Sequence, residues 1–154
     1  MAASAGRVEV AKLLIESGAE VDAQNGSTGT PLYHAAAADQ VGTAMLLIKA
    51  GADVNDRSQA RAQGPLHAAI QSDGTGVLTL LLENEAELGV HSLNGFAPLH
   101  YAIYLTKKPA IAALLEAGAD PMLRTTDGGE VTAYGVGKST AEMREYLESL
   151  GITE

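Results

Sequence analysis

Hydrophobic and small residues recur along the chain in two motifs whose copies are spaced 33 or 34 residues apart. The first motif places a Pro-Leu pair before an aromatic residue or histidine and then alanines. Its copies are TPLYHAA at 30–36, GPLHAAI at 64–70 and APLHYAI at 97–103. The second motif has a leucine pair followed by small and acidic residues. Its copies are LLIESGAEVD at 13–22, LLIKAGADVN at 46–55, LLLENEAELG at 80–89 and LLEAGADPML at 114–123. Because both motifs keep one phase, the chain is predicted to be an array of repeated helical units.

The first motif carries the signals of a helix start. Thr30 is predicted to be an N-cap, because its hydroxyl is free to accept a hydrogen bond from a backbone N–H of the first turn. Pro31, Pro65 and Pro98 then fall at the first helical position, where a missing N–H costs nothing. Ala97 stands where Thr30 stands in the earlier unit, and the loss of that cap is expected to cost about 1 kcal/mol.

The second motif carries the signals of a helix end. Gly18, Gly51 and Gly118 are predicted to adopt the left-handed conformation that terminates a helix. Glu85 replaces glycine at the corresponding position of the third unit, and Gly151 closes the chain in the same phase.

These two motifs resemble the ankyrin repeat family, and the resemblance covers essentially the whole chain. It implies an all-α ankyrin-repeat solenoid, in which each unit has a β-turn finger and two antiparallel helices. We expect a single domain of about four to five repeats. The predicted boundaries are a partial repeat at 1–24, full repeats at 25–57, 58–91 and 92–124, and a divergent C-terminal cap at 125–154.

The two end units differ from the others. The opening repeat lacks its finger and most of its first helix, so we expect either a fragment of a longer array or self-association through this face. We favour the fragment, and a monomer. In the last unit, Gly135 and Gly137 predict a weak helix. Residues 139–142, STAE, predict a capping box for the final helix.

Composition narrows the class of protein. The chain has no Cys, which excludes disulfides and thiolate metal sites. It has no apolar run of about 20 residues, so no membrane span is expected. The net charge of −9 makes nucleic acid an unexpected partner, because such binding depends on Lys and Arg. A cytoplasmic or otherwise intracellular location is predicted.

Catalytic and metal-binding patterns are weak. His67 and His100 occupy the histidine of the repeat motif, and in the family that imidazole is a structural hydrogen-bonding group. The four histidines lack the close spacing of a helical metal pair, and nucleophile and phosphate-loop motifs are missing. We therefore predict no enzyme activity, no cofactor and no metal.

The resemblance implies a non-catalytic protein-binding module that contacts a protein or peptide through the concave face of the stack. Finger tips and exposed positions of the first helices would supply the contacts. The predicted binding residues are His34, Arg61, Gln63, Gln71, Leu93, Phe96, Tyr101, Tyr104 and Leu105. Within this set, Leu93, Phe96, Tyr104 and Leu105 are predicted to form an exposed apolar patch that anchors the partner. The alternative at that patch is that Phe96 folds back onto Tyr104 as local core.

Two further functions remain open. The acidic chain would also suit an inhibitor or immunity-type protein that blocks a basic active site, and such an inhibitor would associate at a strongly salt-dependent rate. The chain would equally suit a regulatory ankyrin segment of a larger protein.

Overall fold

The computed structural model describes residues 2–24, 29–57, 62–126, 128 and 131–153, and across these ranges it contains helices and turns but no strand. The chain divides into two compact units, Met1–Ala86 and Glu87–Glu154. The first unit contains α1 (Val8–Glu16), α2 (Pro31–Ala37), α3 (Val41–Lys49), α4 (Pro65–Gln71) and α5 (Gly76–Glu83). The second contains α6 (Pro98–Tyr104), α7 (Lys108–Glu116), α8 (Ala133–Gly137) and α9 (Ala141–Ser149). The predicted all-α repeat fold is confirmed.

Helix pairs stack within each unit as a repeat array requires. In the first unit α2 packs on α3 and α4 packs on α5, while α2 also contacts α4 and α3 contacts both α1 and α5. In the second unit α6 packs on α7 and α8 packs on α9, and α6 also contacts α8. The short helices α2, α4, α6 and α8, hereafter the inner helices, therefore alternate with the helices that follow them.

The predicted helix starts are confirmed at all three prolines, which occupy the first turns of α2, α4 and α6. Thr30 Oγ1 accepts a hydrogen bond from the Tyr33 N–H at 3.4 Å, as expected of an N-cap. Ala97 has no such side chain. Its own N–H donates instead to His100 Nδ1 at 3.3 Å, so a ring from inside the helix fixes the residue before it.

The start of α9 lies one residue later than the STAE motif predicts. The N-cap is Thr140, whose Oγ1 accepts from the Met143 N–H at 3.3 Å. The predicted capping box on Ser139–Glu142 is therefore wrong. Glu142 is then free to accept a hydrogen bond from Lys108 Nζ at 2.7 Å, which ties α9 to α7.

Helix ends follow the second motif. The glycines that close the helices all have positive φ angles, between +80° and +94°: Gly18, Gly51, Gly118 and Gly151. Glu85 holds the same left-handed conformation at φ +61° in spite of its side chain. The third unit thus keeps the backbone of the repeat without the residue that suits it.

Small residues let the inner helices of the first unit approach each other closely. Ala35, Ala36, Ala68 and Ala69 are all buried and lie on α2 and α4. The leucine pairs on the following helices are divided between core and border. Leu47, Leu81 and Leu114 are buried, whereas their neighbours Leu46, Leu80 and Leu115 are half-buried.

In the second unit, α8 lies against its neighbours at a glycine. A Cβ atom added to Gly137 would lie 2.4 Å from Leu147 Cδ1 and 3.1 Å from both Ile103 Cγ2 and Met143 Cγ. The glycine that weakens this five-residue helix is therefore also the residue that allows it to pack.

The first helix leaves apolar side chains in solvent. On α1, Val10, Leu13 and Leu14 are exposed, whereas Ala11 is buried. The helix begins at Val8. The prediction of self-association through this face remains a prediction.

Candidate partner-binding surface

A tight turn builds the finger that precedes α6. The Gly95 N–H donates to the Ser92 carbonyl at 2.9 Å, and the Ser92 N–H donates to the Phe96 carbonyl at 3.0 Å. Gly95 completes the turn with φ +76°, a conformation that glycine adopts without strain. Leu93 and Asn94 therefore occupy the tip, where both are exposed, and the Leu93 side chain is 73% exposed.

Phe96 joins this finger to α6. Its half-buried ring meets the Tyr104 ring edge-on, with centroids 5.5 Å apart, and lies 6.3 Å from the His100 ring. The fold-back alternative therefore describes the position of Phe96. Tyr104 nevertheless stays 65% exposed in spite of this contact. Leu93 and Tyr104 form the exposed part of the predicted patch, and the ring of Phe96 packs against Tyr104.

Leu105 is the fourth residue of the predicted patch, and Tyr101 is a further predicted contact. Tyr101 is half-buried on α6, and Leu105 is half-buried at the C-cap of the same helix, so Leu105 is less exposed than predicted. Neither is as accessible as Tyr104. The name "finger-and-helix surface" is used below for Leu93, Asn94, Phe96, Tyr101, Tyr104 and Leu105.

The buried ring of His100 holds the finger in place through two hydrogen bonds. The ring is 1% exposed, and its Nε2 lies 2.8 Å from the Leu123 carbonyl oxygen. Because Nδ1 accepts from the Ala97 N–H, the ring proton must be on Nε2, which donates to Leu123. The prediction that this histidine is a structural hydrogen-bonding group is therefore supported by both of its nitrogens.

A second link connects the finger to the segment after α7. The Thr126 N–H donates to the Gly95 carbonyl at 3.0 Å. His91 Nε2 also lies 2.8 Å from the Arg124 carbonyl oxygen, and its ring stacks on that of His100 with centroids 6.3 Å apart. The backbone of the finger is thus tied at several points, while its tip remains accessible.

The predicted residues of the first unit have mixed positions. Gln71 is exposed at the end of α4, and His34 is half-buried on α2. Gln63 is only 3% exposed, so the expectation that it is a finger-tip contact is wrong. It directly precedes the buried Gly64 and Pro65, and the chain folds it inward there. Arg61 lies outside the described residues.

His34 lines a pocket of about 230 Å³ in the first unit, together with apolar side chains that include Ala11, Leu14 and Leu47. Burial lowers the pKa of His34 below its ordinary value of 6.5. Sequence reasoning missed this pocket, because its lining comes from α1, α2 and α3, and no local motif brings these residues together.

Other kinds of site receive no support. Within the described ranges, no group of three or more His, Asp or Glu side chains is placed to hold a metal ion. None of the helices in the same ranges is long and apolar enough to cross a membrane.

Comparison with known proteins agrees with the repeat geometry. A family model described as ankyrin repeats (many copies) matches residues 1–48, and one described as ankyrin repeats (3 copies) matches residues 56–125. A search of curated proteins gave no match. The two matched ranges include the repeat motifs of the sequence and the helix pairs that the structure contains there. The chain therefore belongs to the ankyrin repeat family.

Proposed function

We propose that this chain is a non-catalytic binding module that holds a partner protein or peptide on the finger-and-helix surface of its second unit. Ankyrin repeats generally mediate protein–protein interaction and are generally not catalytic. The observation that carries the proposal is the exposure of two large apolar side chains, Leu93 and Tyr104, on a finger and an inner helix whose backbones are hydrogen-bonded in place.

The arrangement suits an interface anchor. Binding hot spots are enriched in Tyr and Trp, and they gain when water is excluded around a few large side chains. Tyr104 supplies such a side chain, and Phe96 holds its ring in one position. Polar atoms at the border, among them the Asn94 amide, are available for hydrogen bonds with the partner.

The residues of the first unit extend this proposal to a lesser degree. Gln71 and His34 remain candidate contacts because each has an accessible side chain. Gln63 is left out, because a side chain with 3% exposure cannot reach a partner without a rearrangement of the loop.

The test compares three forms of the chain as baits in affinity capture from the source lysate. They are the parent, the double variant Leu93→Asp/Tyr104→Asp, and the control Met122→Asp. Met122 is 59% exposed and is part of neither the finger nor α6, so its replacement introduces an Asp at another exposed apolar position of the same unit. Circular dichroism confirms the fold of each bait.

A protein retained by the parent and by Met122→Asp but lost by the double variant would support the proposed surface. A protein retained equally by all three baits would contradict it and move the site elsewhere on the chain. Capture of further copies of the chain itself, also lost on α1 substitution at Leu13, would support self-association instead.

A further inference from the structure

Charged residues are missing from the segment that contains the finger-and-helix surface. In a chain in which 19% of residues are charged, residues 88–106 include no Asp, Glu, Lys or Arg. Two other segments of more than ten residues share this property, at 23–38 and 62–72. Each of the three segments contains one inner helix, α2, α4 or α6. The net charge of −9 is therefore carried by the residues outside these segments.

The groups that this surface presents are apolar or neutral. Leu93 and Tyr104 offer apolar area, and Asn94 and the Tyr104 hydroxyl offer hydrogen bonds. The two histidines of the segment each bond a backbone carbonyl through a ring nitrogen, His91 at Arg124 and His100 at Leu123. In sequence, the nearest charged residues are Glu87 on one side and Lys107 on the other, and Arg124 lies on the segment whose backbone is bonded to His91.

A partner's charged side chain would bind poorly here. It would lose hydration when it was buried against this surface, and none of the residues that form the surface carries an opposite charge that would compensate for the loss. An apolar side chain meets no such penalty, and it would bury area against Leu93 and Tyr104. The residues of this surface therefore favour an apolar partner segment, whereas the net negative charge of the chain would suggest a basic one.

We propose that the finger-and-helix surface binds an uncharged, apolar segment of a partner protein, and that it selects against basic segments although the chain carries a net charge of −9. The inference rests on the function proposed above and adds the chemistry of its partner. It also predicts an association that depends little on salt, unlike that of an acidic inhibitor with a basic active site.

The experiment selects short random peptides by display on the full-length chain, and it then measures the affinity of the enriched peptides for defined variants. Tyr104→Asp and Tyr104→Lys place opposite charges at the same exposed position. Met122→Asp is the control for charge elsewhere on the unit. Each affinity is measured at about 0.05 M and about 0.5 M salt, which spans strong to weak screening.

We expect enriched peptides to be poor in Lys and Arg. Both Tyr104 variants should weaken their binding by about tenfold or more, and Met122→Asp and salt should each change it by less than about twofold. The sign of the introduced charge is decisive, because an uncharged ligand loses affinity to either charge, whereas a basic ligand loses much less to Tyr104→Asp.

Two results would overturn the inference in different ways. Enriched peptides rich in Lys and Arg that are weakened by Tyr104→Lys and by salt, but not by Tyr104→Asp, would refute the partner chemistry and leave the binding surface in place. Peptides that bind the parent and both Tyr104 variants alike, or a selection that enriches none, would refute the proposed surface itself, and the inference would fail with it.

Discussion

Replacing Glu85 by glycine should stabilise the protein, because Glu85 holds a backbone conformation that suits glycine. Its φ is +61°, and its N–H donates to the Leu82 carbonyl at 3.2 Å. Gly51 closes the preceding repeat with the same pattern, at φ +94° and with its N–H 3.0 Å from the Ile48 carbonyl oxygen. The Glu85 side chain is exposed, so its removal sacrifices no core packing.

The magnitude follows from two opposing effects. The left-handed conformation costs an ordinary L-residue about 1–2 kcal/mol, and glycine is relieved of that strain. Glycine also gains more freedom in the unfolded chain, which costs about 0.5–1 kcal/mol. We therefore expect Glu85→Gly to raise the free energy of unfolding by about 0.5–1 kcal/mol. For a chain of this length, that corresponds to a rise in Tm of about 1–4 °C.

Urea and thermal denaturation followed by circular dichroism would measure the change, with two matched variants. Glu85→Ala removes the carboxylate but keeps a Cβ atom at the strained φ, so it should change stability little. Gly51→Glu makes the reverse substitution where an added Cβ has no neighbour within 4 Å, so it should destabilise through backbone strain without a steric clash, by about 0.5–1 kcal/mol. Equal stabilisation by Glu85→Gly and Glu85→Ala would refute the backbone argument and assign the effect to repulsion among neighbouring acids.

Three further predictions concern contacts within the units. Asp39→Ala should lower the free energy of unfolding by about 1–2 kcal/mol in urea denaturation, because Asp39 Oδ1 accepts from the Val77 N–H at 2.8 Å and caps α5. Asp39→Asn should recover part of that loss. Gly137→Ala should cost about 1–3 kcal/mol by the same measurement, because its Cβ would overlap Leu147 Cδ1; an unchanged midpoint would show that α8 moves freely. Stability should fall as the pH drops below 6.5, because burial lowers the pKa of His34 in the folded state and the unfolded chain then binds the proton more tightly. His34→Gln should reduce this pH dependence between pH values of about 7.5 and 5.5, and an identical dependence in parent and variant would contradict the assignment.

The features that the sequence predicts well are those that local chemistry determines. Pro31 follows its capping Thr30 directly, and the signal for a helix start is complete within a few residues. The glycines that end the helices are recognisable for the same reason. Their positions recur with the repeat, so one strong copy identifies the weaker ones.

The features that the sequence does not predict depend on contacts between distant residues. The cap on α5 comes from Asp39, which is 38 residues away from the N–H that it accepts. Gln63 has the polarity of a surface residue, yet it is buried. At the binding surface, the motif identifies Leu93 and Tyr104 as departures from the repeat. Only the structure shows that Phe96 lies behind Tyr104 and is not itself the accessible anchor.

The residues that build the repeat also determine how well its surface can bind. The finger tip carries Leu93, and its backbone is held by Gly95, by Thr126 and by the ring of His100 beneath it. A partner therefore meets a surface whose backbone is already ordered, and less free energy is lost to ordering a loop on binding. On the function proposed above, we expect His100 to contribute to affinity although its ring is buried at 1% exposure. In this chain the recurrent motif and the proposed binding surface are thus physically coupled, because the histidine that marks the repeat is hydrogen-bonded to the finger that carries the residues that vary.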